Sequence, residues 1–163
     1  MEGGQVTVVA ISHFKPESLE ALKPIGDKLI EATRKEEGNL KYDWYADVKE
    51  KGVAIAVEKF KSMEAFQAHI TSEHIKEAVT HFKEASAAPT VVRVLKPENE
   101  WAESKDGTEN SISIVAIFKM KPESIEEARV KAEKLMEHTR KEPGCQRYDW
   151  YQDVKEPGVI VVI

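Results

Sequence analysis

An eleven-residue stretch of this chain occurs twice, with two differences. Tyr42-Asp43-Trp44-Tyr45-Ala46-Asp47-Val48-Lys49-Glu50-Lys51-Gly52 returns as Tyr148-Asp149-Trp150-Tyr151-Gln152-Asp153-Val154-Lys155-Glu156-Pro157-Gly158, shifted by 106 positions. At the same offset Val6–Val57 lies on Ile112–Ile163 without a gap, and 26 of the 52 pairs are identical. Self-similarity at one fixed offset constrains the fold more than any local motif, because both copies must satisfy the same pattern. The chain therefore reads as a duplicated unit. Identity between the copies records the duplication and does not by itself mark function.

The first copy reads as β-α-β-β-α-α-β. Val6–Ile11 is a β-branched run and predicts a strand. Pro16 and Glu17 suit the first turn of a helix, which Leu19, Leu22, Ile25, Leu29 and Thr33 continue at helical spacing up to Gly38. Pro24 and Gly26 are expected to kink or loosen this helix, and Val130 and Ala132 to leave its counterpart straighter. Leu40, Tyr42, Trp44 and Ala46 alternate with polar residues, the period of a strand. Lys49–Gly52 supplies a turn, with Gly52 free to take positive φ, and Val53–Phe60 completes a hairpin. Ser62 and Ser72 are N-cap candidates for two short helices, through Ile70 and about Glu84, before a fourth strand over Thr90–Leu95. This order is a split β-α-β, or ferredoxin-like, α+β arrangement.

The expected domains are a first unit at 1–96, a polar linker at 97–110 and a second unit at 111–163 that stops after its third strand. Such a second copy reads either as a truncated chain or as a half-unit completed by another molecule. Val6–Ile11, Ile112–Phe118 and Val159–Ile163 are near-continuous apolar runs, the pattern of strands covered on both faces. One helix layer covers one face only, so the two sheets are expected to pack on each other as a pseudo-dimer within the chain. The half-copy is then expected to leave an apolar face exposed, open to further self-association.

Charge narrows the function classes. Net charge is −5 with no Lys/Arg block, which argues against nucleic acid or an anionic membrane as a partner. No apolar stretch approaches bilayer length and no signal-peptide pattern opens the chain, so a cytoplasmic location is expected. Cys145 is the single cysteine, and Asn39 stands at its counterpart position. No phosphate-cradling or dinucleotide fingerprint and no Ser/His/Asp order is present, so no cofactor is expected.

Gly38, the Tyr42–Gly52 hairpin, Glu58-Lys59-Phe60-Lys61-Ser62, then Phe66, His69, Ser72, His74 and the strand after Pro89 together resemble the antibiotic biosynthesis monooxygenase family of dimeric α+β barrels. The resemblance covers about 90 residues of the first copy and about 50 of the second. It implies the fold, and an activity drawn from a range that includes cofactor-free quinol or anthrone oxygenation, haem degradation and isomerisation. The haem-degrading pattern would want Asn, Trp and His where this chain has Val9, Phe60 and Val79, which argues against haem. His81, two positions on, is the nearest replacement ligand. Isomerase chemistry on a phosphorylated metabolite would want a basic cluster, for which only Arg34, Arg93 and scattered lysines are available.

His69 and His74 are the candidate catalytic bases, since imidazole titrates near neutrality. Their plainer reading is as helix-surface or cap residues. They are five apart across a helix break, with no cysteine or carboxylate evident around them, and His74 and His81 lie about 10 Å apart by helix rise. No metal site is therefore expected. Tyr42, Trp44 and Phe60, with Tyr148 and Trp150 in the second copy, pack a core or line an aromatic slot for a small aromatic molecule. Glu58 stands in an apolar strand and either reaches solvent at an edge or is buried with a raised pKa. The reading that joins these residues is a cofactor-independent monooxygenase of a small aromatic diol or quinol. The alternative is a non-enzymatic ligand-binding or stress-response barrel.

Overall fold

A computed structural model of the chain describes residues 4–99, 105 and 110–163. It divides into two units, Met1–Val94 and Leu95–Ile163. In the first, β1 (Val6–Phe14) leads through a turn of 3-10 helix to α1 (Leu19–Arg34), then β2 (Asn39–Ala46), β3 (Val53–Phe60), α2 (Met63–Ile70), α3 (Glu73–Ala85) and, up to Val94, β4 (Ser86–Asn99). This is the β-α-β-β-α-α-β order read from the sequence, and the fold class is α+β and ferredoxin-like.

Within the first unit the strand order is β2-β3-β1-β4. β1 and β3 pair antiparallel from Val6↔Phe60 to His13↔Val53, and β2 joins the far side of β3. A bulge between Asn39 and Lys41 sets Leu40 outside this register. Leu40 is consequently exposed, although simple alternation puts it on the face of Tyr42 and Trp44. Val6, Thr7, Val8 and Val9 are all buried, as expected of a strand covered on both faces. Leu29, Tyr42 and Ala78 form one apolar cluster, and Phe14, Leu22 and Ala85 another, with Trp44 and Phe82 packed against both.

Pro24 does not interrupt α1, which runs 16 residues, the same length as its counterpart in the second unit. The Ser62 hydroxyl accepts from Ala65 N at 3.2 Å and the Ser72 hydroxyl from Ile75 N at 3.4 Å. Each therefore caps the helix it was expected to start.

The β2–β3 turn is held twice over. Asp47 Oδ1 accepts from Lys49 N and Glu50 N at 2.7 and 2.8 Å. Gly52 has φ +97°, and a Cβ there would lie 2.4 Å from the carbonyl oxygen of Phe14. Gly52→Ala adds both left-handed strain and this clash, so it is expected to destabilise the protein by about 1–3 kcal/mol, read as a lowered Tm. An unchanged Tm would mean that the turn re-forms with another geometry.

In the second unit, Leu95–Asn99 of β4 pairs with β6 (Trp150–Asp153), β6 with β7 (Val159–Val162), and β7 with β5 (Ala116–Lys119), while α4 spans Ile125–Arg140. Pro97 and Asn99, expected to open the linker, are strand residues opposite Tyr151 and Trp150. Most of the remaining expected linker, at 100–104 and 106–109, lies outside the described residues. The strand expected over Ile112–Phe118 begins only at Ala116, and Ile112 and Ile114 are exposed. In the first unit their counterparts Val6 and Val8 pair with Phe60 and Glu58, whereas here the ladder ends at Ala116↔Val162. No helix among the described residues is long and apolar enough to cross a membrane.

Candidate active site

A cavity of about 600 Å³ opens in the first unit between the inner face of its sheet and the α2–α3 pair. Its walls are mainly apolar, with Leu29, Ile75, Val79 and Phe82 among them, and Tyr42, Trp44, Glu58 and His69 supply most of the chemistry.

Two local features bring the polar groups together. α1 ends at Arg34, whose Nε donates to the carbonyl of Tyr42 at 3.0 Å, so the helix end is fixed to β2. The chain then turns through Glu36 to Gly38, where a Cβ would lie 2.4 Å from Cβ of Ala65. Only glycine permits α2 to approach that closely. His69, in the last turn of α2, is thereby placed over Glu36, and the Ser72 cap starts α3 so that His74 comes to the same carboxylate.

His69 Nδ1 lies 2.9 and 3.1 Å from the two oxygens of Glu36, and His74 Nε2 lies 2.5 Å from one of them. On the other side of the ring, His69 Nε2 is 3.8 Å from Glu58 Oε2. That is beyond hydrogen-bonding distance. His69 is 2% exposed and packs against the rings of Phe60 and Tyr42 at centroid distances of 4.9 and 5.5 Å. The helix-surface reading is thus overturned for His69. His74 remains about a quarter exposed.

Burial dominates the electrostatics. It holds His69 below the ordinary imidazole value, although the bond and charge of Glu36 pull the other way. It also pushes Glu58 up to about 8, helped by the negative charge of Glu36. Tyr42 is raised by burial and by Glu58, so its hydroxyl keeps its proton. The indole N–H of Trp44 is buried, with the Tyr42 hydroxyl as its neighbour, and the side chain lines the cavity.

Of the residues singled out in the sequence, His69, Tyr42, Trp44 and Glu58 line one cavity. Phe60 lies behind it, fully buried against His69 and Phe66. Trp150 belongs to the second unit's core with Ile125, Met136 and Ile160, and Tyr148 packs against that cluster. The expectation that no carboxylate stands near the histidine pair is corrected by Glu36. Five residues of separation across the helix break still bring both rings to one point, because the break turns the chain. Glu36 gave little signal in the sequence, sitting in a charged run whose second-unit counterpart, Glu142, is exposed. Val79 faces the cavity while His81 lies on the exposed side of α3, so His81 is not placed to serve a ligand there.

Comparison with known proteins agrees with this architecture. The family model described as antibiotic biosynthesis monooxygenase matches residues 5–81 and 111–163. YcnE of Bacillus subtilis (strain 168), named as a candidate monooxygenase, is 31% identical over 84 residues, which are 52% of this chain and 88% of YcnE. The structure of Rv0793 from Mycobacterium tuberculosis is 30% identical with a TM-score of 0.56, covering 60% of this chain and 98% of that one. FN1347 of Fusobacterium nucleatum covers 99% of this chain and 75% of its own with a TM-score of 0.83. At 15% identity that likeness concerns fold alone. With both copies matched by one family model, the chain belongs to the antibiotic biosynthesis monooxygenase family.

Proposed function

We propose that the first unit is a cofactor-independent monooxygenase acting on a small aromatic diol or quinol. The observation that carries this reading is a buried imidazole on the wall of an apolar cavity, with its far nitrogen held by a carboxylate. Glu36 accepts the Nδ1 proton of His69, which leaves Nε2 as the basic atom on the side of Glu58. Glu36 is thus a positioning residue and His69 the base.

The chemistry balances without a resident cofactor. His69 takes the phenolic proton of the substrate, and the electron-rich anion adds O2 at a ring or ring-adjacent carbon. The resulting peroxide loses its O–O bond as the same carbon loses its hydrogen. One oxygen atom becomes a carbonyl, the other leaves as water, and the substrate supplies all the electrons. The apolar wall excludes bulk water from the anion, and the Trp44 indole N–H, beside the Tyr42 hydroxyl, is a handle for a substrate oxygen.

The space beside His69 favours catalysis over a purely structural barrel, in which Tyr42, Trp44 and Phe60 would fill the pocket themselves. The test is oxygen uptake with a panel of reduced quinols and anthrones, with no flavin, metal or haem added. Uptake above the autoxidation blank, and lost in the His69→Ala/His74→Ala variant, is the expected result. Uptake equal in the variant and the parent would remove the mechanism.

A further inference from the structure

We propose that Glu36, His69 and His74 form a binding site for one divalent first-row transition-metal ion of the zinc type. Among the described residues this is the one place where three His, Cys, Asp or Glu side chains bring ligand atoms within 4.8 Å of one another. Each group offers a suitable donor: Nδ1 of His69, Nε2 of His74 and a carboxylate oxygen of Glu36.

Geometry makes the site reachable by side-chain adjustment alone. Zinc takes nitrogen and oxygen ligands at about 2.0–2.2 Å, so donors around a tetrahedral ion stand about 3.3 Å from one another. The present contacts to Glu36, 2.9 Å from His69 and 2.5 Å from His74, need to open by less than about 1 Å, and the two imidazole nitrogens, within 4.8 Å of each other, to close by up to about 1.5 Å to reach that spacing. A second feature points the same way. Metal-bound imidazoles commonly present their other N–H to a carboxyl group, and His69 Nε2 faces Glu58 Oε2 at 3.8 Å, a gap that the ring's movement onto the ion must close to form that bond.

The donor set selects the ion. Two imidazoles and one carboxylate suit zinc, cobalt, nickel or copper, whereas magnesium and calcium prefer all-oxygen shells. Three protein ligands leave a fourth position for solvent, and the partly exposed side chains of Glu36 and His74 give the ion a way in. Its effect on turnover, unlike the site itself, rests on the monooxygenase reading. An ion on Nδ1 leaves the ring's remaining proton on Nε2, the atom needed as base, so metal inhibits.

The test is titration of the full chain with Co2+, followed through its visible ligand-field absorption, with Zn2+ as competitor. This readout is independent of any activity. One equivalent of Co2+, displaced by Zn2+, is expected for the parent protein. Glu36→Gln and His74→Ala, which each remove a direct ligand, are expected to weaken binding by more than the roughly tenfold that loss of an outer-shell partner costs, and His69→Ala/His74→Ala to abolish it. His74 is partly exposed in the first turn of α3, so His74→Ala keeps the fold, as far-UV circular dichroism checks. No absorption in the parent overturns the site. So does binding that persists unchanged in both single variants.

Discussion

Replacing His69 by alanine is expected to lower kcat/KM for oxygen uptake by about 10²–10⁴, the range supplied by a positioned general base. The loss falls on the chemical step because His69 faces the cavity from a buried position, and no other imidazole among the described residues lines it. His74→Ala is expected to cost much less, since His74 meets Glu36 from the outside and is about a quarter exposed. Glu36→Gln separates positioning from simple packing. An amide N–H turned toward Nδ1 favours the tautomer with its proton on Nε2, so kcat falls while the side-chain volume is kept. Glu36→Asp, which keeps the acceptor, is expected to recover part of that loss. Equal activity in Glu36→Gln and the parent would separate His69 from any Glu36-dependent role.

The division between what the residues announced and what they concealed follows the range of the interactions. Strands, helices and turns depend on neighbours in sequence, and Gly52, Ser62 and Ser72 carry their local signals openly. The burial of Val6–Val9 on both faces was equally legible, because period is lost when both faces are covered. Leu40 was not, since one extra residue in a strand inverts the face that alternation assigns, and no composition marks the bulge. Ile112 and Ile114 resemble their buried counterparts in type, but pairing decides burial and their ladder ends at Ala116. Glu36 was hidden for a related reason. Its partners lie 33 and 38 residues away, and only the close approach of Gly38 to Ala65 brings a charged helix end up behind the cavity-lining His69.

Glu58→Gln is expected to stabilise the protein at and above pH 8 and to change little below pH 4.5. Glu58 is 6% exposed, and its folded pKa of about 8 stands above the unfolded value of 4.5. Below 4.5 both states hold the proton and the carboxyl carries no penalty. Between 4.5 and 8 the unfolded chain releases its proton while the folded chain keeps it, so stability falls as pH rises, by at most about 1.4 kcal/mol per pH unit. Above 8 the full difference is present, on the order of 3–5 kcal/mol. A neutral amide of nearly the same shape removes that pH dependence. Urea unfolding of parent and variant between pH 4 and 9 reads it directly: the midpoints should coincide at low pH and separate as pH rises. A separation that stays constant across this range would mean that Glu58 ionises alike in both states. Burial is costly for a carboxyl in the middle of β3, and a cavity wall is the one setting here in which its proton has a use. Glu58→Gln is accordingly expected to gain stability and lose turnover together, whereas a carboxyl that merely fills space would be replaced with a gain in the first and no change in the second.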